Sequence, residues 1–166
     1  RDFRMDALFA FALQWTNPSH PPEHVAASDF QIAEMSLQLS LPADYKSAVL
    51  AAGLPRPTLA LLDAIVEREA DLHDLNHLYS PSEIVDYTPL SHAAGLPEYL
   101  LPIASDSLGS SFVYDMRDLS SGQGNTAPVY FWDNDFGTLD QVGTSFEDWI
   151  SSYSEDWSKG LNYDDF

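Results

Sequence analysis

The sequence predicts an α+β fold: an antiparallel meander sheet packed against N-terminal and C-terminal helices in a single domain. Three observations carry this. Apolar residues at helical spacing dominate the first half, whereas aromatic and β-branched runs between Gly, Asn, Asp and Ser turns dominate the second. The turns between those runs are too short for the crossover that parallel neighbours need. A chain of 166 residues that is 45% hydrophobic can also bury a core without covalent staples.

Met5 to Trp15 opens the chain as a helix, with Leu8, Phe9, Ala12 and Leu13 at helical spacing, and stops at Thr16-Asn17-Pro18. Arg1 to Leu13 has a basic flank and a short apolar run, but Asp2, Asp6 and the Gln14-Trp15 continuation speak against a secretory leader, and Met5 reads as the natural start. Pro18 to His24 is a loop on proline content. Ser28-Asp29-Phe30-Gln31 has capping-box spacing and opens a second helix, expected to bury Ile32, Met35 and Leu39 and to expose Asp29 and Gln38. Pro42 starts a third helix, with Asp44 near the positive end of its dipole and Gly53 as its left-handed stop.

Leu59 to about Ala70 reads as a fourth helix on the stripe Leu59, Leu62, Ile65 and Val66, and Asn76 to Tyr79 as a short strand. Ser80-Pro81-Ser82-Glu83 combines a serine cap, a first-turn proline and a glutamate that can reach back, so a short helix Pro81 to Tyr87 follows. Ala93 to Leu101 reads as a loop with a turn of helix. Leu101 to Ala104 and Ser111 to Met116 are strands around a turn, and Arg117 to Ala127 is a polar connection.

The chain is organised around Pro128 to Tyr153. Val129 to Trp132 reads as a central strand and Asp133 to Gly137 as a turn, with Leu139 and Val142 on a second strand. Thr144 to Glu147 has capping-box spacing before a helix that carries Phe146, Trp149, Ile150 and Tyr153 on one face. Residues 1–27 thus form a helix and Pro-rich loop of the same domain, 28–153 its α+β body, and 154–166 an acidic tail. Trp157, Tyr163 and Phe166 in that tail have two readings, packing on the domain or anchoring a partner.

Charge narrows the function. The formal net charge is −19, and from Ile84 onward 14 acidic side chains face only Arg117 and Lys159. Such a field repels nucleic acid and attracts a basic protein; its plainer use is solubility. The absence of cysteine excludes disulfides and thiolate chemistry, and a cytoplasmic location is expected. No apolar run approaches the roughly 20 residues of a membrane helix.

Catalytic motifs are scarce. His73 and His77 stand at the i, i+4 spacing that lets one helical face grip zinc, a weak case for a metal-dependent hydrolase because Asp74 replaces the usual glutamate and no third ligand follows. Asp133 to Gly137 fails as a calcium loop: glycine falls at position five, and Thr144 stands where a bidentate glutamate is needed. Ser107-Leu108-Gly109-Ser110 lacks the glycine spacing of a nucleophile elbow. No catalytic residue, cofactor or metal ligand is assigned.

Several phrases together resemble the SUKH superfamily of cell-wall regulators and bacterial toxin-immunity proteins. They are Ile32-Ala33-Glu34 leading into Leu41-Pro42-Ala43-Asp44-Tyr45-Lys46, then Leu101 to Asp106, Val129 to Asp133, and Ser145 to Ile150, in the family's order. Gln38 stands where relatives often have glycine. The resemblance implies a non-catalytic protein-binding domain, an immunity protein occluding a secreted polymorphic toxin; a cationic nuclease fits the acidity. The alternative is a regulatory interaction module without a toxin. Asp106, Asp133 and Asp135 at strand ends, and Asp156, Asp164 and Asp165 near the tail, are the candidate contacts for a basic partner.

Overall fold

The computed structural model describes residues 6–119 and 124–166. Four helices come first: α1 (Ala7–Trp15), α2 (Ala27–Leu37), α3 (Ala43–Ala52) and α4 (Ala60–Glu67). Strand β1 (His77–Leu78) and helix α5 (Pro81–Ala93) lead into β2 (Leu100–Ser105), β3 (Ser111–Asp115), the short α6 (Met116–Leu119), β4 (Val129–Asp133), β5 (Thr138–Gly143) and α7 (Phe146–Ser151). The five strands pair in chain order and every pairing is antiparallel, the expected meander. Strand β4 is interior, and β3 holds the middle. The polar connection expected over Arg117 to Ala127 starts instead with α6, and its residues 120–123 lie outside the described residues.

One sheet face packs on the helices. Leu101, Ile103, Phe112, Tyr114, Val129 and Phe131 join Phe11, Trp15, Tyr45, Phe146 and Trp149 in one core. The other face holds a smaller cluster, where Leu96 covers Leu100 and Val113, and Tyr130, Trp132 and Leu139 stay half-buried. No helix among the described residues is long and apolar enough to cross a membrane.

The caps show how local chemistry sets element starts. The Ser80 hydroxyl accepts from the Glu83 amide at 3.2 Å while the Glu83 carboxylate accepts from the Ser80 amide at 2.9 Å, completing the expected box. Helix α5 then runs past Tyr87 to Ala93, because Pro89 lies on the exposed side where water can meet the carbonyl it leaves free. At α7 the cap is Ser145, one residue later than expected, and no reciprocal box forms. Ser145 Oγ accepts from the Asp148 amide at 3.0 Å, and the Asp148 carboxylate accepts from the Thr144 amide at 2.9 Å. That frees Glu147 to accept from the Ala7 amide at 3.1 Å, so α7 caps the start of α1 from the far end of the chain. At α2 the N-cap is Ala26 instead of Ser28, and Asp29 reaches back to the Ala26 amide at 2.9 Å.

Three helical faces differ from the sequence reading. On α2, Ile32 and Met35 are 67% and 80% exposed, and Phe30 and Ala33 turn inward. On α4, Leu61, Ala64 and Ile65 are buried, whereas Leu59 and Val66 are exposed. On α1, Phe9 and Leu13 face out, and Ala7, Leu8, Phe11 and Trp15 face in. In each case two apolar stripes fit a 3.6-residue period, and on α1 and α2 aromatic contacts from elsewhere choose between them. Phe30 meets the Tyr45 ring edge-on at 5.6 Å, and Phe11 meets Tyr153 the same way at 5.6 Å.

Gln38 caps α2 in the left-handed region, with φ +57°. A β-carbon there costs about 1 kcal/mol relative to glycine. Gln38→Gly is therefore expected to stabilise the chain by about 1 kcal/mol and raise the Tm by roughly 2–4 °C in a calorimetric melt. An unchanged or lower Tm would contradict this account of the cap. Gly53 has no such alternative: at φ +80° a β-carbon would lie 2.7 Å from the Glu23 carbonyl oxygen, where the Pro-rich loop pairs with Leu54.

The tail is docked through Tyr163. Trp157 stacks on Trp15 at 6.2 Å and donates through Nε1 to the Ser152 carbonyl at 2.7 Å. The Tyr163 amide donates to the Gln14 carbonyl at 2.6 Å, and Thr58 Oγ1 donates to the Tyr163 carbonyl at 2.9 Å. Trp157 thus follows the packing reading, Tyr163 is held through its backbone, and Phe166 remains 61% exposed.

Candidate functional site

One end of the sheet gathers three loops. In the β2–β3 turn, Asp106 Oδ1 accepts from the amides of Leu108 at 3.0 Å and Ser110 at 2.8 Å. In the β4–β5 turn, Asp133 Oδ1 accepts from the amides of Asp135 at 2.9 Å and Phe136 at 3.1 Å. Both are Asx turns, in which the aspartate replaces backbone partners that the reversal removes. The Asn134 amide donates to Ser110 Oγ at 3.0 Å and ties the two tips together. The loop before β1 joins them, since Ser107 Oγ donates to Asp74 Oδ1 at 3.1 Å.

The tips carry Leu108 at 85% and Phe136 at 80% exposure. Large apolar side chains held in water on hydrogen-bonded turns suit anchors for a partner, because they are already ordered before contact. The local sequence marks these segments only as turns. The signal for an anchor is a single Leu or Phe in a stretch otherwise made of Asp, Asn, Ser and Gly.

The six candidate acids divide. Asp133, half-buried, and Asp135, exposed, precede Phe136 in the same turn. Asp106 shares this end but is only 7% exposed, and its carboxylate is occupied by the turn amides, which makes it a brace for the hairpin instead of a contact. Asp156 and Asp164 are exposed on the docked tail, and Asp165, half-buried, accepts from the Asn162 amide at 2.7 Å. The tail acids ride on the helical layer beside α1, apart from the hairpin tips.

Asp74 supplies a titratable brace at the same end. Burial pushes its carboxyl up, against the lowering effect of the Ser107 hydrogen bonds, and the nearby Asp106 charge adds to the rise. A raised carboxyl favours the fold when protonated. That contribution is full below the unfolded value of about 3.9 and is lost as pH rises through the higher folded value. Asp74→Asn should therefore gain stability relative to the native chain near pH 7, with the advantage shrinking as pH falls towards 4, read from urea midpoints at both pH values. A constant difference between the two proteins would show that burial of this charge is not costly.

The two histidines do not share a helical face, for the expected helix ends before them and His77 lies in β1. The His73 ring stacks flat on Phe131 at 3.7 Å. His77 Nε2 lies 3.1 Å from Glu83 Oε1 and 3.3 Å from an Arg56 guanidinium nitrogen. Burial would raise Glu83, but the Ser80 amide, His77 and Tyr87 outweigh it and hold the carboxyl below its usual range. Among the described residues no group of three or more His, Asp or Glu side chains is placed to hold a metal ion.

No curated protein matches the chain significantly. A family model described as SMI1 / KNR4 family (SUKH-1) matches residues 24–152, from the Pro-rich loop to the end of α7. That span contains every strand and both hairpin tips, so the chain belongs to the SMI1/KNR4 (SUKH-1) family.

Proposed function

We propose that this chain is a non-catalytic immunity protein that binds and occludes a cognate secreted toxin, with the joined hairpin tips as its contact end. The family is consistent with an immunity-type, protein-binding domain. The observation that carries the reading is the pairing of exposed Leu108 and Phe136 with Asp133 and Asp135 on two turns locked by the Asn134 to Ser110 hydrogen bond.

A toxin groove built to hold phosphate presents Lys and Arg. Carboxylates steer such a groove inwards, and the two apolar anchors slow its escape. A basic nuclease domain is therefore the favoured partner, with Asp156, Asp164 and Asp165 as outlying acids that extend the attractive field. The tested consequence is specific: a pull-down from the native producer recovers one basic toxin domain with the native chain and loses it with a Leu108→Ser, Phe136→Ser double variant. Recovery of only housekeeping proteins would replace this reading with the regulatory one.

A further inference from the structure

A second surface lies between α2 and α5, built from elements that the hairpin tips do not use. It is a groove of about 350 Å³. Ile32 and Ala33 of α2 and Val85 of α5 form its apolar floor, and Glu23, Asp29 and Asp86 stand on its rim. Met35 stands one turn from Ile32, so the two most exposed apolar side chains of α2 are neighbours on that helix beside the groove.

The rim charge is not neutralised from within. Glu34 on the same helix is held by Lys46 at 3.1 Å, but Glu23 and Asp86 have no ion pair or side-chain hydrogen bond among the described residues, and Asp29 bonds only the Ala26 amide. His24 is the sole basic side chain on the lining. An apolar floor under unpaired carboxylates is complementary to an amphipathic segment with apolar residues on one side and Lys or Arg on the other. A second copy of this chain fits poorly, because it would bring the same carboxylates and another −19 charges against the rim.

We infer that the α2–α5 groove is a second docking site, which takes a basic amphipathic segment of a partner protein through two apolar side chains on Ile32 and Val85 and cations on Glu23 and Asp86. The probe is a fluorescein-labelled peptide with Leu at helical spacing and Lys elsewhere, followed by anisotropy against the full chain. Two control peptides replace every Lys by Glu or every Leu by Ser, and each should bind at least about tenfold more weakly. The variants Ile32→Ser and Glu23→Lys/Asp86→Lys should each weaken the Leu/Lys peptide by about tenfold or more, whereas Phe136→Ser leaves it unchanged. Ile32 and Asp86 sit on exposed helical positions, and Glu23 and Phe136 on exposed loop and turn positions, and an unchanged melting curve separates lost binding from lost folding.

Equal binding to native and groove variants, no binding to the native chain, or equal binding of the Ser/Lys peptide would overturn the site. So would sedimentation showing a native dimer that Ile32→Ser dissociates, since the face would then be a self-interface. None of these results touches the hairpin-tip reading, which the Phe136→Ser arm and the pull-down address separately.

Discussion

Trp149→Ala is expected to cost about 4 kcal/mol and to lower the Tm by roughly 10 °C. The indole is 1% exposed and lies where α7 meets the sheet, 4.6 Å from the Phe112 ring, 5.8 Å from Phe146 and 6.2 Å from Tyr153. Its Nε1 donates to the Tyr153 hydroxyl at 3.2 Å, and that hydroxyl donates to the His73 carbonyl at 2.7 Å. Truncation would leave a cavity among rings that cannot close over it and break a chain of hydrogen bonds from α7 to the loop before β1. The approach is set by Gly143, where any β-carbon would lie 2.7 Å from the Trp149 backbone nitrogen and β-carbon. Trp149→Phe should cost markedly less, because a phenyl ring refills most of the cavity although it too lacks the Nε1 donor to Tyr153. Thermal melts of both variants check the ranking, and an alanine variant that melts within a degree or two of the native chain would show that the core is not centred here.

Phe136→Ser and Leu108→Ser are each expected to weaken the proposed toxin complex by about 30-fold or more, mainly through faster dissociation. Asp135→Lys should act on the other rate. Its side chain is exposed and its amide, not its carboxylate, completes the turn, so the substitution changes charge and leaves the hairpin intact. Association with a basic partner should slow at low salt while dissociation changes little, and the difference should fade as ionic strength rises. Stopped-flow traces at two salt concentrations separate the cases. An Asp135→Lys variant with an unchanged on-rate removes the steering argument, and serine variants with unchanged off-rates remove the anchors. Asp133→Lys is a poorer test because its carboxylate holds two turn amides, so lost binding would mix charge with a disordered tip.

Much of the fold was legible in the sequence. Ser80-Pro81-Ser82-Glu83 marks a helix start because its partners lie within one turn of each other, and the structure realises that box atom for atom. The strand Val129 to Trp132, the turn after it and the helix beginning at Ser145 were legible for the same reason. The order of these phrases also pointed to the family that the match over residues 24–152 bears out. The contact end was legible only in part. Its aspartates were visible as turn residues, but nothing local distinguishes Asp106, which is buried under its own hairpin, from Asp135, which is free.

The order of the main helices and strands, the meander and the excess of negative charge can be read from residues alone, because each rests on contacts or counts within a few neighbouring positions; the short α6 cannot. Which stripe of α1, α2 and α4 turns inward, which carboxylates stay in solvent and which loops meet at the sheet end were decided only by the tertiary structure. The free-energy difference between burying Ile32 and burying Phe30 lies in partners such as Tyr45, which no helical period encodes. Likewise, the turns that carry Leu108 and Phe136 meet at one end of the sheet only because β3 and β4 pair in a register that sets Ser111 against Trp132.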